Sequence, residues 1–347
     1  MSAIFAHMIK INVQRAVLFV VFIPMINFLM SCDTTRSVAD SNLEKGNWQE
    51  LKAIDNTLPV ARHEAAFVGL EDRFYLLGGR GDRPVSIYDT KSASWSQGKQ
   101  GPIELHHFQP VVYEDEIYIL GAMTGGYPGE TPVDHIYIYN PAKNTWRKGA
   151  EIPEDRRRGG AGAALLDDKI YLACGIRDGH RGDHKKWLDV YDLKTGEWST
   201  LSDAPRARDH FQIAIVDEKI YAIGGRTTRS AENPFRNTMT EVDVFDLTSQ
   251  TWSTLANGLP TPRAGHFMVT VGERILVMGG ESFYQEPAHS EVESLNVKTL
   301  AWSDLPMLPQ GRHGTGAILR DGIIYTSSGS GNRGGGPELS DLWMYQP

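Results

Sequence analysis

Cysteine is scarce in this 347-residue chain, which holds only Cys32 and Cys174. A single disulfide is the most it could form, and a chain of this length buries enough apolar surface to fold without one. Basic residues are also in the minority, with 35 Lys and Arg against 43 Asp and Glu and a net charge of −8. A chain this acidic is a poor candidate for binding nucleic acid. The P-loop, HExxH and GxSxG motifs are absent as well, which disfavours three common classes of hydrolase.

Long hydrophobic runs are missing except near the N-terminus, where Ala16–Met30 contains no charged residue. The run is shorter than the roughly 20 apolar residues that a spanning helix needs, and Pro24 interrupts it. Two basic residues, Lys10 and Arg15, precede it. A basic start followed by a short apolar core is typical of a secretion signal.

The apolar run ends in "LMSC", Leu29 to Cys32, which resembles the lipobox of bacterial lipoproteins. The resemblance implies cleavage before Cys32 and lipidation of that cysteine; an uncleaved anchor and plain secretion are the alternatives. We therefore predict a lipoprotein signal peptide over 1–31, a polar tether over 32–46 and a folded domain over 47–347. The mature chain would have 33 basic and 43 acidic residues. It would be exported and lipid-anchored to a bacterial membrane, in the periplasm or at the cell surface.

A repeat of about 50 residues runs through the rest of the chain. Each unit has an apolar segment that opens after Arg or His, and a second segment that ends in small residues, such as "IYAIGGR". A third segment of the type "VDVFDL" follows, and most units end with a segment that begins at a tryptophan. Turn-forming residues between the segments predict four short antiparallel strands per unit. The repeated tryptophans are Trp48, Trp95, Trp146, Trp198, Trp252 and Trp302.

This order of a glycine pair, a tyrosine and a tryptophan resembles the kelch repeat. The resemblance implies an all-β fold, a six-bladed β-propeller of kelch repeats. The last unit stops at "LWMYQP" without a tryptophan strand, whereas "NWQEL", Asn47 to Leu51, stands before the first complete unit. We therefore predict that the N-terminal Trp strand joins the last blade and closes the ring, which removes the open edges of the array.

In a four-stranded blade, the loop between the second and third strands lies on the same face as the loop to the next blade. In kelch proteins this face commonly carries the binding pocket, and here its loops concentrate arginine and histidine. Converging guanidinium groups need an anion, so we predict that the pocket binds an acidic small molecule or glycan. For the repeated residues, hydrogen bonding to the backbone of neighbouring blades is the alternative. The predicted ligand-binding residues are Arg62, Arg80, Arg158, Arg177, His180, Arg208, Arg226, Arg263, Arg312 and Arg333.

His210, His313 and Glu281 are the candidates for catalysis on this face. Histidine transfers protons near neutral pH. Glu281 follows a glycine pair where two other units have arginine, so it is either a general acid–base or the ion-pair partner of an arginine. The reaction stays open between β-elimination on acidic sugars and mutarotation, as in N-acetylneuraminate epimerase-like propellers. Copper radical oxidation, found in the kelch-like galactose oxidases, is disfavoured because Cys174 replaces a glycine of the repeat in an apolar strand.

No cofactor is predicted, because no local spacing of histidines matches a metal signature. A divalent metal held near the axis by histidines from several blades is the alternative. The expected partners are an acidic ligand and a membrane, the latter through lipid at Cys32, and the chain is expected to be a monomer. A protein–protein interaction scaffold without catalysis is a further alternative, because a fold does not decide a function.

Overall fold

The computed structural model describes residues 43–228 and 232–347. These ranges consist of short strands joined by turns, with 3₁₀ turns at Glu154–Arg156 and Gly179–Arg181. The predicted signal peptide, the lipidation site Cys32 and most of the predicted tether lie outside the described residues. None of the helices in the described ranges has the length and apolar character that crossing a bilayer requires.

The described strands form six four-stranded antiparallel sheets, which are the blades of a propeller. Blade 1 contains β2 (Ala65–Leu70), β3 (Arg73–Gly78), β4 (Pro84–Asp89) and β5 (Ser94–Gln100). Blade 2 contains β6 (Val111–Tyr113), β7 (Glu116–Ile119), β10 (His135–Asn140) and β11 (Thr145–Glu151), with a small hairpin of β8 (Met123–Thr124) and β9 (Thr131–Pro132) between its second and third strands. Blade 3 contains β12 (Gly162–Leu166), β13 (Lys169–Ala173), β14 (Leu188–Asp192) and β15 (Trp198–Leu201).

The remaining blades repeat the same order. Blade 4 contains β16 (Ile213–Val216), β17 (Lys219–Ile223), β18 (Val242–Asp246) and β19 (Thr251–Thr254). Blade 5 contains β20 (Phe267–Val271), β21 (Arg274–Met278), β22 (Val292–Asn296) and β23 (Trp302–Leu305). Blade 6 contains β1 (Asn47–Glu50), β24 (Ala317–Arg320), β25 (Ile323–Ser327) and β26 (Leu342–Gln346). The six-bladed kelch propeller predicted from the repeat is therefore confirmed.

The second strand of a blade reads as an uninterrupted apolar run because neighbouring blades cover both of its faces. In β13, β17 and β21 every residue after the first is buried. The innermost strands lie side by side around the axis: β12 contacts β6 and β16, and β24 contacts β20 and β2. The hydrophobic core is consequently a series of layers between adjacent sheets.

The repeated tryptophan joins most blades to the one before them. In five blades its ring packs against a tyrosine or phenylalanine of the third strand, with ring centroids 5.0–5.2 Å apart. In five blades the indole N–H also donates to a carbonyl of the preceding blade, as Trp198 does to Glu151 at 3.0 Å and Trp252 to Ser202 at 2.8 Å. An indole N–H that is removed from water needs such an acceptor, so these tryptophans both pack within their own blade and bond to the neighbouring one.

Blade 6 is assembled from the two ends of the described chain. Strand β1 pairs antiparallel with β26, from Asn47 opposite Gln346 to Glu50 opposite Trp343. Trp48 takes the position that the repeated tryptophan has in the other blades, and its indole donates to the Pro306 carbonyl of blade 5 at 2.9 Å. This pairing is the arrangement predicted for closing the ring.

Candidate functional site

Six equivalent residues, one just before each innermost strand, surround the propeller axis. All six have a left-handed backbone, with φ between 50° and 64°. Five of the amides donate to the carbonyl of the preceding member at 2.6–3.1 Å, and the Ala65 amide, next to the first member, completes the circle by donating to the last carbonyl at 3.0 Å. We call this set the axial ring. Its members are Glu64, His107, Gly160, His210, Gly265 and Gly314.

The axial ring carries side chains at only three of its six positions. A left-handed backbone suits glycine and costs other residues roughly 1 kcal/mol or more, and three blades do use glycine. The other three place Glu64, His107 and His210 around the axis, where these side chains are no more than 8% exposed. Backbone strain that coincides with a cluster of buried ionisable groups is typical of a functional site.

A cavity of about 640 Å³ opens from the axis toward the loops between second and third strands, a size common for small-molecule sites. Its inner part includes Glu64, His107 and Glu281, all buried. Tyr127 and Phe235, from loops of blades 2 and 4, line it farther out. A narrow space of about 40 Å³ adjoins the cavity along the axis and is lined by the whole axial ring. We call the larger space the mouth cavity.

The residue after the glycine pair is held next to the axial ring by short β-bridges. Arg226 bridges to Asp209, and Glu281 bridges to Ala264, each one residue before an axial position. The Nη1 of Arg226 lies 2.5 Å from Oε1 of Glu281, and its Nη2 lies 3.3 Å from Nε2 of His180. Two residues singled out in the sequence, Arg226 and Glu281, thus form a buried ion pair at the wall of the mouth cavity.

A second ion pair lies across the mouth cavity. Nη2 of Arg80 lies 2.6 Å from Oε1 of Glu130, and that oxygen lies 3.0 Å from Nδ1 of His180. The Arg80 side chain is 22% exposed, whereas that of Glu130 is fully buried. Burial raises the pKa of Glu130. The hydrogen bond and charge of His180 and the hydrogen bond of Arg80 outweigh this effect and lower the pKa below its ordinary value, so the carboxyl stays ionised.

Five of the predicted ligand-binding arginines do not line the mouth cavity, which corrects the sequence-based placement. Each is essentially without exposed surface. Each side chain points into its own blade, where the guanidinium donates to main-chain carbonyls. It also donates to a side-chain acceptor that lies in the third strand or in the segment just before it. For Arg158 these are the Leu172 carbonyl at 2.8 Å and Asp189 at 2.5 Å. The five are Arg62, with Ser86; Arg158, with Asp189; Arg208, with Asp243; Arg263, with Glu293; and Arg312, with Asp341.

The physical reason is that a buried guanidinium is stable only with its donors satisfied. Arginine at the start of the inner strand reaches carbonyls at the end of the second strand and an acceptor near the third. The hydrogen-bond donors of its guanidinium group are therefore bonded inside the blade. The alternative stated for the repeated arginines, bonding within the propeller framework, describes them better than ligand binding does.

Two further predicted ligand-binding residues, Arg177 and Arg333, do not line the mouth cavity. In blade 3 the position equivalent to Arg226 is Ile176, so Arg177 lies one residue beyond it. The Arg177 guanidinium is 5.9 Å from the ring centre of Trp187. Arg333 stands at the rim, where its Nη1 donates to the Phe283 carbonyl at 3.0 Å.

The three catalytic candidates occupy different positions. Glu281 lines the mouth cavity, and His210 lines the narrow axial space. His313 is fully buried and lines neither the mouth cavity nor the narrow axial space: its Nε2 bonds to the Asn332 and Gly334 carbonyls at 2.9 and 2.8 Å. It lies 3.4 Å from Glu281 and 3.7 Å from Glu64, so that it positions these carboxylates rather than meeting a ligand.

Both carboxylates beside His313 are ionised at neutral pH. Burial raises the pKa of Glu64, but the charges of His313, His210 and His63 outweigh it and lower the value to about 2. Burial likewise raises the pKa of Glu281, and His313 and Arg226 lower it below its ordinary value. These groups can therefore accept protons but do not donate them near pH 7.

The mouth cavity is not the cationic pocket that the sequence predicts. Its lining contains two guanidinium groups, those of Arg80 and Arg226, and both are already paired with carboxylates. Carboxylates outnumber them, which follows from the burial of the repeated arginines inside the blades. The lining carboxylates are those of Glu64, Glu104, Glu232 and Glu281.

Several residues of the site are not among the predicted site residues. The signal for Glu64 and His107 lies in the repeat itself, because the equivalent residue in three units is glycine: "RHEAA" and "LHHFQ" stand against "RGGAG", "RAGHF" and "RHGTG". Glu130, Tyr127 and Phe235 lie in loops whose lengths differ between blades, so no position of the repeat predicts that they belong to the site. Cys174 lies away from the site, and burial raises the pKa of its thiol to about 11.

Comparison with known proteins agrees with this architecture. A family model described as the Attractin/LZTR1 beta-propeller matches residues 30–282, and a Kelch motif model matches residues 262–309. Among solved structures, the one titled "Structure of YjhT" superimposes with a TM-score of 0.69 at 16% identity, covering 84% of this chain and 99% of that one. At this identity the likeness shows the fold alone.

Curated relatives match most of this chain but differ in length. The Kelch-like protein terF of Aspergillus terreus is 30% identical over 311 residues, which cover 82% of this chain and 64% of the relative. Alpha-scruin of Limulus polyphemus is 26% identical over 260 residues, 72% of this chain and 27% of the relative. This chain thus spans less than two thirds of the length of either relative.

Proposed function

The chain belongs to the kelch-repeat β-propeller family, and from that premise we propose that it binds a carbohydrate, a small cyclic molecule rich in hydroxyl groups, in the mouth cavity. The observation that carries the proposal is the pairing of an aromatic outer wall, Tyr127 and Phe235, with a buried polar inner wall. Aromatic faces pack against apolar ring faces, while fixed polar groups orient hydroxyls.

The charge of the lining restricts the ligand. A polyanion would meet the excess of carboxylates, whereas a single anionic group has one partly exposed partner, Arg80. The acidic sugar predicted from the sequence is therefore narrowed in our proposal to a monosaccharide-sized ligand with at most one carboxylate. Export and lipid anchoring at Cys32 remain predictions, because that residue lies outside the described ranges.

Phe235→Ala is expected to weaken carbohydrate binding about tenfold, since a lost aromatic contact is worth about 0.5–1.5 kcal/mol and 1.4 kcal/mol is a factor of ten. Calorimetric titrations with glucose, galactose, glucuronate, galacturonate and N-acetylneuraminate measure it. Tyr284→Ala is the matched control, because Tyr284 is 75% exposed and does not line the mouth cavity. Sugar binding that Phe235→Ala leaves unchanged, or binding of none of these sugars, would contradict the proposal.

A second candidate function is proton abstraction from the bound sugar, which the ionised pair Glu64 and Glu281 favours. Glu281→Gln is expected to slow ligand conversion or proton exchange by 10²-fold or more, as loss of a general base does, while the dissociation constant changes less than threefold. NMR of the same ligands in D₂O measures both. If the wild-type protein leaves every ligand unchanged, or Glu281→Gln converts at the wild-type rate, Glu281 is not a catalytic base.

A further inference from the structure

We propose that His107, His180 and His210 bind one divalent transition-metal ion of the zinc type at the inner end of the mouth cavity. The three imidazole rings are in mutual contact, with centroids 4.6, 4.9 and 5.4 Å apart and ring planes tilted by 68–76°. One nitrogen from each lies within 4.8 Å of the others. All three residues are buried, and they come from three different loops.

Nδ1 of each ring faces a neighbouring group. Nδ1 of His210 is hydrogen-bonded to Asp209 at 2.5 Å. Nδ1 of His180 lies 3.0 Å from Oε1 of Glu130, an ion-pair distance without hydrogen-bond geometry. Nδ1 of His107 lies 2.5 Å from Nδ1 of His106, whose own Nε2 is 3.1 Å from the Gly125 carbonyl. Metal-ligating histidines usually have their second nitrogen held by a carboxylate or another acceptor, which fixes the tautomer and orients the ring.

Of the remaining Nε2 atoms, that of His180 accepts from Nη2 of Arg226 at 3.3 Å, whereas the other two lack such a donor among the described residues. Nε2 of His210 is buried and has no hydrogen-bond partner among the described residues. Nε2 of His107 faces the Glu64 carboxylate at 3.4 Å. With Nδ1 carrying the proton, this places a lone pair against a negative charge. A cation between the rings would give Nε2 of His210 a partner and would offset the charge of the Glu64 carboxylate that faces Nε2 of His107.

Carboxylates outnumber guanidinium groups around the three rings, which favours a cation there. Four carboxylates and the guanidinium groups of Arg80 and Arg226 contact the cluster or its partners, and His184 and His313 also contact these carboxylates. Arg226, whose Nη2 is 3.3 Å from His180, is the opposing cation, and its charge is compensated by Glu281 at 2.5 Å and Asp209 at 3.5 Å. The carboxylates are those of Glu64, Glu130, Asp209 and Glu281.

Three imidazole ligands with one side open are typical of a catalytic zinc site. Zn–N bonds of 2.0–2.1 Å place tetrahedral ligand nitrogens about 3.3 Å apart, so nitrogens that now lie within 4.8 Å of one another would approach by at most roughly 1.5 Å through side-chain rotation. The open side faces the mouth cavity, which His107 and His180 also line. A bound ion would act there as a Lewis acid toward a ligand oxygen.

Metal binding is tested by titrating chelator-stripped protein with Co²⁺ and following its visible absorption, then displacing Co²⁺ with Zn²⁺. One equivalent is expected to bind, and His107→Gly and His210→Gly are each expected to weaken it about 100-fold or more, beyond the 10–100-fold that second-shell changes cause. Glycine is chosen because Gly160, Gly265 and Gly314 occupy the same left-handed positions in other blades, so these variants keep the backbone.

His289→Gln is the control, since His289 is equally buried but bonds to Ser282 and Glu291 outside the cluster; its affinity should stay within threefold of wild type. Thermal unfolding gives a second readout: Zn²⁺ should raise the Tm of wild type and of His289→Gln but not of the two glycine variants. Failure of Co²⁺ to bind wild type, or equal binding by the glycine variants, would overturn the site. Neither result depends on sugar binding.

Discussion

Deletion of residues 43–52 is expected to abolish cooperative folding of the propeller. The deletion removes β1 and leaves β26 as an exposed edge strand, so the ring of blades is open. It also removes buried Leu43, whose carbonyl accepts a hydrogen bond from the Tyr345 hydroxyl, and Trp48, whose ring lies 5.0 Å from that of Tyr345. One buried and one partly buried apolar side chain, together with about five hydrogen bonds, amount to more than about 5 kcal/mol, a large part of the stability of a typical domain.

Urea denaturation followed by tryptophan fluorescence and circular dichroism measures this effect. Gln49→Ala, a change at an exposed position of β1, serves as the matched control and should shift the midpoint little. A synthetic peptide of residues 43–52 added in trans should restore part of the transition. A truncated chain that unfolds cooperatively at the wild-type urea midpoint would show that β1 contributes nothing to the free energy of unfolding by closing the ring.

Arg263→Ala is expected to lower the free energy of unfolding by about 3–5 kcal/mol, the cost of leaving one partner of a buried ion pair alone. Arg263 has no exposed surface and is ion-paired with Glu293, which is 3% exposed. Its guanidinium also donates to the carbonyls of Gly279, Thr261 and Val277 at 2.6, 2.8 and 2.9 Å. The alanine variant leaves a buried carboxylate and three carbonyls without these donors.

Arg147→Ala supplies the comparison, because Arg147 forms an ion pair with Glu116 while its side chain is 50% exposed. Such pairs contribute about 1 kcal/mol or less. The double variant Arg263→Met with Glu293→Met should recover much of the loss, since apolar replacement of both partners removes the unpaired charge. A loss for Arg263→Ala no larger than that for Arg147→Ala would indicate that the repeated arginines do not stabilise the blades.

The repeated arginines also show what the sequence does not predict, namely the direction in which a side chain points. An arginine at the start of each inner strand is visible in the sequence, but its direction depends on an acceptor some 30 residues later, as Glu293 is for Arg263. The chain brings the two together only when the third strand pairs with the second. A net-acidic mouth cavity follows from that pairing, and no local pattern predicts it.

The repeat alone determined the all-β class, the number of blades, the order of strands and the face that carries the long loops, because the period of glycine and tryptophan is set by packing that every blade shares. Only the tertiary structure decided what converges at the axis. His107, His180 and His210 come from three loops separated by up to 103 residues, and ring closure around the axis is what places their side chains in contact. Convergence of that kind is a property of the closed ring, so it has no signature within a single unit.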